Sequence, residues 1–254
     1  MREFFLTSSA WEIAIAGWLF FGGIYLVFGA TTWVLTRQLL TRFNIGRPLD
    51  PRPLAAGQLQ REWRLSALSI FIFGAGMVFP WGFLQLGWAN LAQAPTALQT
   101  ILEIIALMIW NDVHFYINHR LLHTSLLRRF HLLHHRSVVA DPWSTYSFHP
   151  VEALMLGNVI LLPMLAHDFS AAALFSLPIL SLVFNNLGHA NYDFIPFGLG
   201  VIRNSSRRHH LHHACFNGNY GFMLPFMDYL MRTALPPDAA KAQIAKWEER
   251  NPDV

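Results

Sequence analysis

Thirteen histidines occur in this 254-residue chain, and all of them fall between His114 and His213. Imidazoles gathered in this way either titrate together near neutral pH or bind metal. Spacing separates the two readings. His119 and His123 are four residues apart, His131, His134 and His135 form an HxxHH box, and His209, His212 and His213 repeat it. On a helix such positions share a face with Cβ atoms about 5–6 Å apart, so each box is expected to aim two or three nitrogens at a common centre. Packed without a cation they would repel when protonated, or leave ring nitrogens unpaired when buried. Eight imidazoles exceed what one ion binds, which implies two. Iron, zinc, copper and nickel all accept imidazole, so the donors alone leave the element open. The single Cys excludes thiolate zinc and iron–sulfur sites, and no Glu-x-x-His pair of the helix-bundle carboxylate type is present.

The elements that must hold these boxes are apolar. Hydrophobic residues make up 54% of the chain and charged residues only 13%, about half of what soluble domains carry, which argues against a water-soluble enzyme. Ile13 to Thr36 is free of charge over 24 residues, long enough to cross a hydrocarbon core of about 30 Å, and is read as a retained first transmembrane helix. Residues 37–64 carry six Arg against Asp50 and Glu62, which places that loop in the cytoplasm. Leu65 to Leu102 is too long for one crossing and reads as a second helix, a turn around Trp88 to Pro95, and the start of a third helix ending near Ile117. Val151 to Ala166 and Phe169 to Gly188 form a hairpin whose first arm is short, tilted or partly inserted. The fold class is therefore all-α and polytopic, with four to five transmembrane or hairpin helices and a histidine-rich helical cap. A single domain spans 1–254, with transmembrane helices over 1–117 and the histidine region over 118–235. Counting crossings puts every box on the cytoplasmic side. Basic residues flanking apolar runs explain the net charge of +3 without nucleic acid. Residues 239–250 suggest an amphipathic surface helix or a plain solvated one.

Several residues are weighed singly. Asp112, Tyr116, His119 and His123 form one helical stripe, so Asp112 either hydrogen-bonds a metal-binding His or pairs with Arg120. His149 before Pro150 is a further ligand or simply starts a helix, and Glu152 bonds a ligand His, orients an Arg, or serves as a first-turn acid. His114 faces away from His119, and His167 is expected in solvent. His210 points off the ligand face towards headgroups or water. Arg207 and Arg208 face an acidic electron donor or lipid headgroups.

The stretch Asp112 to His123, the His131 to His135 box, Phe148-His149-Pro150 with Glu152, Gly188-His189-Ala190-Asn191-Tyr192, and His209 to His213 followed by Asn219-Tyr220-Gly221 together resemble the fatty acid hydroxylase/sterol desaturase superfamily. The resemblance covers about residues 110–235. It implies a cytoplasmic non-haem pair of iron ions, with zinc a possible occupant on purification, and O2-dependent hydroxylation or desaturation of a fatty acyl chain, sterol or related lipid. By motif position the ligands would be His119, His123, His131, His134, His135, His189, His209, His212 and His213. Asp193 stands where some members carry a further His, leaving one iron open to water, Asn191 or Asp193. Electrons would come from a separate ferredoxin- or cytochrome b5-like protein and its reductase. The rival class is a membrane metal transporter, which should carry ligands near the bilayer midplane rather than at helix ends.

Overall fold

A computed structural model describes residues 2–194 and 200–239, together with 241, 245 and 249. A short helix α1 (Arg2–Thr7) precedes α2 (Ala10–Val34), which continues through a π-helical turn at Leu35–Leu39 into α3 (Leu40–Arg42). Ser9 starts α2 with a capping box: its hydroxyl accepts from Glu12 N–H, and the Glu12 carboxylate accepts from Ser9 N–H. Next come α4 (Gln58–Gly76) and α5 (Val78–Gln85), and a turn leads to α6 (Ala97–Leu122), capped by Thr96. The histidine region then supplies α7 (Arg128–His135), a 3-10 turn at Pro142–Tyr146, the short helices α8 (Pro150–Gly157) and α9 (Leu161–Ala166), α10 (Ala171–His189), α11 (Gly200–Cys215) and α12 (Phe226–Leu230).

Four segments are long and apolar enough to cross a membrane: Ala10–Arg42, Gln58–Gln85, Ala97–Leu122 and Ala171–His189. The protein is thus integral to a membrane, as its composition required. These helices are built with their apolar side outward. Leu19, Leu26, Phe71, Ile101 and Ile105 are exposed, where lipid replaces water, while Glu62, Ser66, Ser69, Glu103 and Asp112 are buried between helices. Where α2 crosses α4, Gly17 faces Gly74, and a Cβ on Gly17 would lie 2.6 Å from the Gly74 carbonyl. Only small residues permit that approach. Beside it, Trp18 stacks on Phe71 and donates its indole N–H to the Phe71 carbonyl at 2.9 Å.

The first arm of the expected hairpin is broken at Asn158–Ile160 into α8 and α9, neither long enough to span. Trp110 on α6 donates to the Val159 carbonyl at 2.7 Å, so the break is held rather than frayed. A two-residue antiparallel pairing, β1 (Arg47–Pro48) with β2 (Tyr192–Asp193), ties the Arg-rich loop to the chain after His189. Most of the tail 239–250, where a surface helix was expected, lies outside the described residues.

Candidate metal centre

Nine histidines reach one buried zone from four separate stretches of chain. His119 lies in the last turn of α6 and His123 at its C-cap; α7 supplies His131, His134 and His135; His189 ends α10; and α11 carries His209, His212 and His213. They sort into two groups: His119, His123, His131, His135 and His212 in one, and His134, His189, His209 and His213 in the other. Within each group the candidate donor atoms lie within 4.8 Å of one another.

The boxes are divided in a way that spacing alone did not suggest. His131 and His135, four apart, serve the first group, and His134 between them serves the second. On α11 the assignment is reversed, with His209 and His213 in the second group and His212 in the first. Neighbouring residues on a helix point about 100° apart, so each His-His doublet feeds two adjacent centres instead of one.

Hydrogen bonds on the outward nitrogens fix which ring nitrogen faces inward. His119 Nδ1 donates to the Tyr220 carbonyl at 2.9 Å, His212 Nδ1 to Gly218 at 2.8 Å, His213 Nδ1 to Ser137 at 3.0 Å and His189 Nδ1 to Asn185 at 2.9 Å. A carbonyl oxygen only accepts, so the proton sits on Nδ1 and each Nε2 presents a bare lone pair. His131 Nδ1 is 2.7 Å from the Glu152 carboxylate, with the same result.

Those lone pairs are aimed at one another. Nε2–Nε2 separations are 3.0 Å for His119–His131, His131–His135 and His135–His212, and 3.0–3.2 Å for His134–His189, His189–His209 and His209–His213. Two nitrogens bound at right angles to one ion at about 2.1 Å would be about 3.0 Å apart, so the spacing is that of a coordination sphere. His123 adds an Nε2 buried without a partner. The donor set therefore fits two metal ions. Burial and the neighbouring rings oppose protonation: His131, His134, His135, His209 and His213 are all held well below the ordinary imidazole pKa, His123 is pushed down to about 3 and His212 to about 4. Neutral imidazole is the form that ligates metal.

Other sequence-selected residues lie elsewhere, each for a visible reason. Among the described residues Asp112 hydrogen-bonds neither a histidine nor Arg120; its carboxylate accepts from the backbone N–H groups of Met223 and Leu224 at 2.8 and 3.0 Å. Asn191 adopts a left-handed backbone and clasps Asp50 through both N–H and C=O, so its carboxamide is committed away from the histidines. Asp193 is bonded to Arg207 at 3.0 Å, and Arg208 to Asp228 at 2.6 Å, so both arginines pair with buried carboxylates, while the Arg207 side chain keeps 37% of its surface exposed. His149 stands outside both groups. Its Nδ1 accepts from Val151 N–H as the N-cap of α8, and its ring packs on Phe130. His210 is buried rather than exposed. His114 faces away from the groups, as expected, bonding Asn158 at 2.8 Å, and His167 is half exposed beside Glu103.

Sequence reasoning missed the residues that hold the outward carbonyls. Asp228, fully buried on α12, accepts from Tyr220 and Gly221 N–H at 2.8 and 2.9 Å and from the Thr233 hydroxyl at 2.8 Å, which shapes the loop that presents the Tyr220 carbonyl. Glu62 accepts from the Ser137 hydroxyl at 2.6 Å and from Gln58, steadying the segment whose carbonyl serves His213. The available signal was an acid inside an apolar run, as in Phe226-Met-Asp-Tyr-Leu.

A cavity of about 370 Å³ lies between α2, α4, α6, α8 and α10, and none of the nine clustered histidines lines it directly. Its inner wall includes Phe115, Phe148 and Asn185. Phe115 packs on His119, Phe148 on His134, and Asn185 carries the carbonyl that orients His189.

Comparison with known proteins agrees with this geometry. The fatty acid hydroxylase family profile matches residues 104–233. The chain belongs to the fatty acid hydroxylase family. The matched span contains all nine clustered histidines of this family member. Among its relatives, very-long-chain aldehyde decarbonylase GL1-5 of Oryza sativa subsp. indica is 32% identical over 51% of this chain, and GL1-4 of the same plant 27% over 87%. The Delta(7)-sterol 5(6)-desaturase of Eremothecium gossypii is 25% identical over 94% of this chain and 68% of its own length. The chain spans only 23% and 37% of the two decarbonylases. No solved structure matches the chain.

Proposed function

We propose that this protein is a membrane-bound, O2-dependent oxidoreductase that hydroxylates a C–H bond of a lipid, using two iron ions held by the nine clustered histidines. The observation that carries the reading is an apolar cavity among membrane-facing helices whose wall residues Phe115 and Phe148 pack directly on His119 and His134, one from each histidine group. Iron bound there would supply oxygen activation and the power to break an unactivated C–H bond. The chain's own part is to place and protect. Phe115 and Phe148 close the cavity against the histidines and keep water from the reacting carbon, while Glu152 and the backbone carbonyls hold five of the nine imidazoles, His119, His131, His189, His212 and His213, in the ligating tautomer.

A cytoplasmic site is favoured by the β1–β2 pairing and the Asn191–Asp50 clasp, which set the Arg-rich loop on the histidine side. Reducing equivalents arrive from a separate carrier protein and its reductase. Desaturation is the second reading, favoured by the sterol desaturase that aligns over 94% of this chain, because hydroxylation and desaturation share one hydrogen abstraction and diverge only after it. The test compares lipid extracts of cells expressing the wild type, His134→Ala or His212→Ala. A mass gain of one oxygen that requires both histidines supports hydroxylation, and a loss of two hydrogens supports desaturation. Oxygen-dependent product from a double variant that remains inserted overturns both.

A further inference from the structure

The cavity is walled mostly by hydrocarbon and aromatic groups, and besides Ser181 and Asn185 on α10 three polar side chains line it from α6 and the end of α8. They are Asn111 and His114 on α6, and Asn158 at the end of α8. His114 Nε2 lies 2.8 Å from the Asn158 amide oxygen and 3.1 Å from the Asn118 amide nitrogen, so these groups satisfy one another. Asn111 differs. It is 7% exposed, its amide nitrogen is buried with no partner, and its carboxamide makes no hydrogen bond among the described residues. Leaving such a group unpaired in an apolar setting carries its full desolvation penalty, and the same wall could have been lined by Leu at no such cost. None of these residues joins either histidine group.

Resting on the lipid-oxidation reading above, we propose that Asn111, with His114 and Asn158 beside it, is a polar subsite that takes a hydroxyl or carbonyl oxygen of the lipid substrate. Position defines the substrate class further. Along α6, His114 lies five residues and Asn111 eight residues before His119, an axial rise of about 7.5 and 12 Å. The oxygen is therefore held several carbon–carbon bonds from the carbon presented to the histidines. The substrate is an oxygenated lipid oxidised at a remote carbon. It is neither a plain hydrocarbon nor a molecule oxidised at the carbon that bears the anchoring oxygen.

Binding tests this without turnover. The full-length, metal-loaded protein in lipid nanodiscs, kept free of oxygen and reductant, is titrated with cetyl alcohol, methyl palmitate and hexadecane. The wild type should bind at least one oxygenated probe about five- to tenfold more tightly than the alkane, the worth of about one net hydrogen bond. Asn111→Leu should abolish that preference while keeping alkane affinity; His114→Phe should weaken it in the same direction. Preference for the alcohol alone assigns a hydroxyl, and for the ester alone a carbonyl. Equal affinity of the wild type for all three overturns the proposal, as does an Asn111→Leu protein that keeps the preference. Because no oxidation is measured, failure here leaves the redox reading standing, and failure of product formation leaves this result intact.

Discussion

Glu152 offers the sharpest test of the centre. Its carboxylate bonds His131 Nδ1 at 2.7 Å, both side chains are buried, and His131 Nε2 faces His119 and His135 within the first histidine group. Removing the partner of a metal-bound imidazole typically costs ten- to a hundredfold in metal affinity, or about 1.4–2.7 kcal/mol. Glu152→Gln keeps an oxygen that can accept the Nδ1 proton but loses the charge that makes His131 a stronger donor, so about tenfold is expected. Glu152→Ala also strands an N–H in a dry site and should approach a hundredfold. The effect is local, because the second group takes its orientation from the Asn185 and Ser137 carbonyls. Titration with a chelator, with bound metal per chain measured at each step, should show one ion leaving early and one leaving as in the wild type. Unchanged retention in both variants would refute the role of Glu152. Simultaneous release of both ions would refute the independence of the two groups.

Three further outcomes are expected from the same geometry. In metal-free protein the depressed pKa values of His123 and His212, about 3 and 4, mean that the unfolded chain takes up protons below about pH 6.5 before the folded chain does. Stability should then be level above pH 6.5 and fall steadily as pH drops towards 4, as thermal unfolding across a pH series would record; a flat profile would contradict the burial of neutral rings. Metal retention should persist below the ordinary imidazole pKa, with release measured by dialysis at graded pH and complete loss already at pH 6 counting against the assignment. Gly17→Leu should force α2 from α4 and cost about 1–3 kcal/mol or more, seen as a lower unfolding temperature in detergent, whereas Gly23→Leu, with open space around its Cβ position, should be tolerated.

Much of this was readable from residue types. The four spans, a hairpin arm too short to cross and eight of the nine gathered histidines follow from apolar run lengths and imidazole spacing, because bilayer thickness and helical pitch are fixed lengths; His189, alone at the end of α10, was indicated only by the family resemblance. Glu152 was legible as a carboxylate beside the boxes. The sharing of each box between two groups was not, since it depends on how α7 and α11 are rotated against one another. The partners of Asp112, Asn191 and Asp193 were not legible, for one reason. Each is a short polar side chain within reach of backbone or arginine donors from distant segments, and those long-range partners leave no periodic trace. Asp228 escaped notice because its work is done through main-chain atoms of Tyr220 and Gly221.

Four imidazoles take their orientation from peptide carbonyls rather than from side chains. Selection at Ser137, Asn185, Gly218 and Tyr220 thus bears on the path of the chain more than on chemical identity. Gly218 is the strictest of them, with φ of 76° and a Cβ position 2.7 Å from the Thr233 carbonyl. Drift at the other three can leave the protonation pattern of the metal site untouched so long as the loop keeps its shape. An engineer who wished to retune these four tautomers would have to move the main chain, because the oxygens that accept their protons belong to no side chain.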